Sequence, residues 1–215
     1  MRFDKLVYSP FMLKEAISGA EIVAKAWSFV LADSMAGRIA TYFVELLRWN
    51  EKINLTGARS IQELVDEHLD DCFALSRLVP AQSSVVDVGS GGGLPAVPFA
   101  ILRPDCKVCM VEPRAKRVAF LRSLTRTIKD TSLEVCHGRW DELGSRSFAV
   151  AVSRATFAPK EWLGIGARIV EPQGLVVALA TAQDGLASSS ARLVQSVEYA
   201  SRNGTPRWAG AFCFT

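Results

Sequence analysis

The strongest chemical signal in this chain is Val85-Val86-Asp87-Val88-Gly89-Ser90-Gly91-Gly92-Gly93, an apolar run carrying one acid and then a glycine-rich stretch. Glycine is needed where backbone turns with positive φ or where a ligand approaches the main chain. Several glycines together raise the entropy lost on folding and give no packing in return, so a ligand-binding turn explains them better than a plain one. A second acid, Glu112, closes the next apolar run, about twenty residues on. Gly91-Gly92-Gly93-Leu94-Pro95-Ala96 also satisfies the dinucleotide pattern G-x-G-x-x-G/A. Asp87 separates the two candidate ligands. A dinucleotide would place its anionic pyrophosphate over this loop, where a carboxylate opposes it. S-adenosylmethionine (SAM) presents an ammonium and a sulfonium, both cationic, which a carboxylate attracts. The order strand, acid, glycines, helix, strand, acid therefore favours SAM, with Glu112 placed to accept from the ribose hydroxyls.

Other reactive residues are sparse. The chain has two histidines and no evident catalytic dyad, and His68 reads as a core or capping residue. Cys106-Lys107-Val108-Cys109 is a lone C-x-x-C. A zinc site would need two more ligands, and Cys136-His137 is the one remote source. In an extended segment the two thiols point to opposite sheet faces, so no metal is expected. The five cysteines are odd in number and scattered through apolar runs, which fits reduced thiols in cytoplasm.

These residues need a scaffold. The 215 residues are 49% apolar and 22% charged, with a net charge of +3, which excludes a disordered or low-complexity chain. No apolar run reaches ~18 residues, so no membrane span is expected. The N-terminus shows no signal-peptide core, so export is not expected. Residues 1–80 read as a helical extension. Asp33 or Ser34 is placed to cap a helix running to about residue 53. Ser60-Ile61-Gln62-Glu63 has the form of a capping box, opening a helix that Pro80 closes. Residues 81–215 read as the binding domain. Strands are predicted at 85–88, 107–111, 133–137, 148–153 and 175–180, and helices at about 94–102, 114–128 and 162–170. Segments 195–200 and 208–214 are two final strands. This alternation predicts an α/β fold, a doubly wound, mostly parallel, seven-stranded Rossmann-like sheet. Charge is uneven: 103–130 holds eight basic residues against three acids, while 61–79 holds five acids against Arg77. The basic segment can supply contacts to nucleic-acid phosphates.

The ordered motifs resemble one family. Gly89-Ser90-Gly91-Gly92-Gly93-Leu94-Pro95 with Pro98 is similar to the cofactor loop of the bacterial 16S ribosomal RNA guanine-N7 methyltransferases, also called glucose-inhibited division protein B. Trp49-Asn50 with Asn54-Leu55-Thr56 resembles that family's W-N…N-L-T signature. His68 with Asp71 resembles its R-H-x-x-D-S helix. Lys116-Arg117-Val118 with Phe120-Leu121 resembles K-R-V-x-F-L, and Ser153-Arg154-Ala155 its S-R-A. The resemblance implies a class I SAM-dependent methyltransferase, acting as a monomer on 16S RNA or the 30S subunit. It implies that Gly89 and Leu94 contact the cofactor and that Glu112 holds its ribose; the reading of the loop itself adds Asp87, Ser90, Gly91 and Gly93 to the cofactor site. Trp140 and Asp141 would border the adenine, and Arg154 would stand at the mouth, positioning substrate. Glu67, Cys72, Pro113 and Ala180 depart from the family pattern. They keep open a methyltransferase with another RNA or small-molecule substrate, and a non-catalytic RNA-binding module.

Overall fold

The computed structural model describes residues 9–181, 186 and 191–214. Helices α1 (Pro10–Ala26) and α2 (Asp33–Asn50) come first, followed by α3 (Ile61–Leu64), a π turn (Val65–Leu69) and α4 (Asp70–Leu78). The sheet region then alternates β1 (Ser84–Val88), α5 (Ala96–Leu102), β2 (Lys107–Glu112), α6 (Ala115–Thr127) and β3 (Ser132–His137). It continues with β4 (Phe148–Ser153), α7 (Pro159–Gly166), β5 (Val170–Ala180), β6 (Ala191–Ala200) and β7 (Pro206–Phe214).

The strands form one seven-stranded sheet in the order β3-β2-β1-β4-β5-β7-β6. Strands β1 to β5 run parallel, and β7 is antiparallel to both β5 and β6. The order reverses between β1 and β4. That crevice, at the carboxyl ends of the strands, is where open α/β sheets bind ligands. Central strands β1 and β2 are buried on both faces, hence their near-continuous apolar runs. Edge strand β3 is only half-buried. Val85 and Asp87 share one face by the two-residue strand period. On that face, Val85 joins a large core built from α1, α2, α4, α5 and the sheet. Val86 and Val88 join a second core on the other face, with Trp162 of α7. No helix among the described residues is long and apolar enough to cross a membrane.

Several local expectations are corrected. Helix α2 starts at Asp33, but neither Asp33 nor Ser34 caps it; Met35 and Ala36 N–H donate to the Ala32 carbonyl. Ser60 does cap its helix, accepting from Glu63 N–H at 3.1 Å, but Glu63 reaches one residue too far for a closed box. Its Oε2 accepts from Arg59 N–H at 2.7 Å. Helix α7 begins at Pro159 rather than 162, because proline pre-sets the first helical φ. It ends at Gly166, where a Cβ would lie 2.5 Å from Val176 Cγ1, so the chain turns early into a longer β5. Strand β6 likewise begins at Ala191, four residues before the expected start.

Candidate cofactor and substrate site

The glycine stretch is the turn from β1 into α5. Gly89 has φ +77°, and a Cβ there would lie 2.3 Å from Thr156 Oγ1. Gly93 has φ +86°, with Val97 Cγ2 at 2.8 Å from such a Cβ. Both positions are closed to side chains by backbone geometry and by packing. Gly89 and Ser90 N–H donate to the Val111 carbonyl at 2.9 and 3.2 Å. Ser90 Oγ donates to the Asp87 carbonyl at 2.9 Å, and Tyr42 Oη to the Gly92 carbonyl at 2.8 Å. The loop is thus tied to β2 and α2. Leu94 is half-buried against the large core.

Two carboxylates flank this loop. Asp87 is 1% exposed, and its Oδ2 has no hydrogen-bond partner among the described residues. Burial pushes its pKa up to about 7; the Ser90 hydroxyl opposes the rise, the Glu112 charge adds to it and Arg154 lowers it. A buried carboxylate oxygen without a donor is an unmet demand for a cation or an N–H. The ammonium group of SAM answers that demand, so the residues present fit the cofactor. Glu112 is also buried, but its oxygens are oriented: Oε2 accepts from Gly91 N–H and Oε1 from Arg114 N–H, each at 2.9 Å. Each oxygen keeps a second lone pair, so two ribose hydroxyls could still donate to it. Arg117 stands 3.9 Å from Glu112 and donates from Nη2 to the Asn54 carbonyl at 3.1 Å. A cleft of about 830 Å³ lined by Asn50, Asn54, Thr56, Arg59 and Arg117 opens beside the loop.

Trp140 and Asp141 lie in a single 3₁₀ turn after β3, on the rim. Trp140 is half-buried on the second core, with the Arg168 guanidinium 5.1 Å from its ring centroid. Asp141 is exposed and meets Arg139 Nε at 3.3 Å. Glu142 is exposed as well, but its carboxylate folds back on the turn, accepting from Arg139 N–H at 2.9 Å and filling the space beside Gly138. Sequence reading missed Glu142. The signal was its position at the third residue of a turn, where an acid can reach back to the free backbone donor.

The motifs of the N-terminal helices converge on Arg154. Asn50 uses its whole amide on the segment after α2. Its Oδ1 accepts from Leu55 and Thr56 N–H at 2.8 and 3.1 Å, and its Nδ2 donates to the Thr56 and Ala58 carbonyls at 2.9 and 3.2 Å. Asn50→Ala should cost about 2–3 kcal/mol in urea unfolding, because part-buried donors and acceptors lose their partner. Held this way, Thr56 Oγ1 lies 3.3 Å from His68 Nε2. Burial and the Arg154 charge lower the His68 pKa to about 3, and its Nδ1 is buried without a partner among the described residues. The ring is neutral at physiological pH, so Glu67, 4.0 Å away, is a polar neighbour and not an ion pair. Asp71 is 2% exposed and takes Arg154 Nε on Oδ2 at 2.7 Å and the Tyr199 hydroxyl on Oδ1 at 2.8 Å. The π turn widens the helix and leaves carbonyls outside the regular ladder. The Asp66 carbonyl accepts from Arg202 N–H at 3.2 Å and that of Glu67 from Arg154 Nη2 at 3.3 Å. Sequence reading missed both the Asp71–Arg154 pair and Tyr199. No local signal marks them, since Tyr199 is 128 residues from Asp71.

Cys106 and Cys109 belong to opposite cores, as the extended spacing required. Cys109 instead approaches Cys136, with 3.0 Å between sulfurs. Glu134 is adjacent, but the cation held there is Arg146, which donates from Nη1 to Cys136 Sγ at 3.0 Å and pairs with Glu134 at 2.7 Å. On α6, Lys116, Arg122 and Arg126 are exposed, and none has an ion-pair partner among the described residues.

A family model described as rRNA small subunit methyltransferase G matches residues 35–202. The ribosomal RNA small subunit methyltransferase G of Geobacter metallireducens is 34% identical over 152 residues, covering 69% of each chain. The protein of that name from Halorhodospira halophila is 34% identical over 164 residues, 75% of this chain and 78% of the other. Among solved structures, a SAM-dependent methyltransferase from Aquifex aeolicus shares the fold, with a TM-score of 0.52 at 13% identity, covering 72% of this chain and 93% of that one. Since the family model spans most of the chain, and these relatives are a third identical over more than two thirds of their length, the chain belongs to the rRNA small subunit methyltransferase G family.

Proposed function

We propose that the protein transfers a methyl group from SAM to guanine N7 of 16S ribosomal RNA, as free RNA or within the 30S subunit. The observation that carries this reading is Asp87, a buried carboxylate with one unpartnered oxygen at the glycine loop of a family member. SAM supplies a methyl already activated by its sulfonium. Guanine N7 offers a lone pair and no proton, so this chain needs no general base. Its work is to bind and orient, and orientation alone is worth roughly 7–11 kcal/mol in favourable cases. Asp87 receives the ammonium group, Glu112 the ribose hydroxyls, and Gly89, Ser90, Gly91, Gly93 and Leu94 line the cofactor. Trp140 and Asp141 border the adenine. Arg154 positions the substrate, which must present an unstacked purine edge-on. In a division of the chain into residues 1–80 and 81–215, the described helices of the first part bring Thr56, His68 and Asp71 to the site built by the described strands and loops of the second. The reading includes a monomer acting in the cytoplasm, where its RNA substrate is found.

Labelled methyl transfer onto undermethylated 30S subunits, free 16S RNA and transfer RNA, followed by nucleoside analysis, tests the proposal. Label in 7-methylguanosine from 16S RNA is expected; label confined to another nucleoside or to transfer RNA overturns it. Glu112→Ala should weaken S-adenosylhomocysteine binding about 10–100-fold by calorimetry, through loss of charge-assisted hydrogen bonds. It should also lower thermal stability, because Gly91 and Arg114 N–H lose their acceptor.

A further inference from the structure

We propose that Asp71 is a positioning residue whose task is to hold the Arg154 guanidinium away from Asp87, leaving the Asp87 carboxylate available to a cationic cofactor. The inference rests on the reading of the glycine loop as the SAM site. Asp87 pairs in register with Val152 of β4. Arg154 follows two residues later, so the strand period directs it to the same side of the sheet as Asp87. The Arg154 charge lowers the Asp87 pKa from there. A long, flexible cation two residues beyond the register partner of a buried, unpartnered carboxylate should turn to pair with it. It does not. Arg154 Nε lies 2.7 Å from Asp71 Oδ2, and Nη2 donates to the Glu67 carbonyl at 3.3 Å. Asp71 competes well because it is itself fixed: it is buried on α4, and its other oxygen accepts from Tyr199 of β6 at 2.8 Å. The π turn sets the Glu67 carbonyl where Arg154 can use it. Asp87 Oδ2 is left without a donor as the counterpart of this arrangement. The last hairpin thus acts on the cofactor site through Tyr199, Asp71 and Arg154 in turn.

A double-mutant cycle read by calorimetry with S-adenosylhomocysteine on the full chain tests this. Asp71→Asn should weaken binding about tenfold, because the released Arg154 turns to Asp87. In an Arg154→Ala background the same substitution should change affinity less than twofold. An equal loss in both backgrounds, or no loss in either, overturns the proposal, since a purely structural role for Asp71 does not depend on Arg154. Thermal unfolding identifies any variant that fails to fold. If Asp71→Asn is such a variant, Tyr199→Phe replaces it, with a smaller loss expected only while Arg154 is present. A parent protein that binds no S-adenosylhomocysteine would instead refute the cofactor reading itself.

Discussion

Asp87→Asn is expected to abolish measurable cofactor binding while making the free protein more stable. The two effects have one cause. Asp87 is 1% exposed and one of its oxygens has no donor among the described residues. Its pKa is raised from an ordinary carboxylate value to about 7, chiefly by burial. A folded-state pKa above the unfolded one means that folding disfavours the ionised form. The group therefore subtracts stability progressively as pH rises from about 4 to about 7, and by a constant amount above that. A gap of about three pKa units sets an upper bound of about 4 kcal/mol. Asparagine removes the charge but brings an amide that needs partners, so about 1–2 kcal/mol of stabilisation is expected at pH 8. The gain should vanish near pH 4, which urea titrations at the two pH values check. A variant no more stable than the parent at pH 8 refutes the buried-charge account. Removing one partner of a buried ion pair costs about 3–5 kcal/mol, so affinity for S-adenosylhomocysteine should fall more than 100-fold. In the parent, affinity should rise with pH between about 5.5 and 7, because binding requires the ionised carboxylate.

Replacing Lys116, Arg122 and Arg126 together by alanine is expected to lower affinity for 16S RNA by 10- to 100-fold near 0.1 M salt, with cofactor affinity unchanged. These side chains are exposed on α6 without ion-pair partners among the described residues, so their charge is free to meet phosphates. Each lost phosphate contact should reduce the slope of log affinity against log salt by about 0.7–0.9. Filter binding over a salt series measures both quantities. An unchanged slope would move the RNA to another face of the protein.

Much of the scaffold was legible from the order of residues. The β4 limits follow from an apolar run with abrupt ends, and β1 and β2 from runs long enough to be buried on both faces. Helix α7 was misplaced because Trp162 and Ile165 continue a helical pattern that Gly166 interrupts for a packing reason, its contact with Val176. The Asn50 and Thr56 motif was legible as a signature, but its job was not. Only the folded chain shows Asn50 holding the turn that sets Thr56 against His68.

The sequence alone determined the glycine loop, its two acids and the doubly wound order, because glycine geometry and apolar periodicity are local properties of the chain. Tertiary structure decided what the charges do. The acids of 61–79 looked like one pole of an uneven surface. Asp70 and Asp71 are instead buried, bonded to Trp27 in one case and to Tyr199 and Arg154 in the other. Asp87, the acid that favours a cationic cofactor, owes its raised pKa to burial and to the Glu112 charge, while Arg154, which would lower it further in contact, is paired with Asp71. The energy of a buried charge depends on its desolvation and on the donors and charges packed around it. Those neighbours come from distant parts of the chain, where residue spacing carries no information.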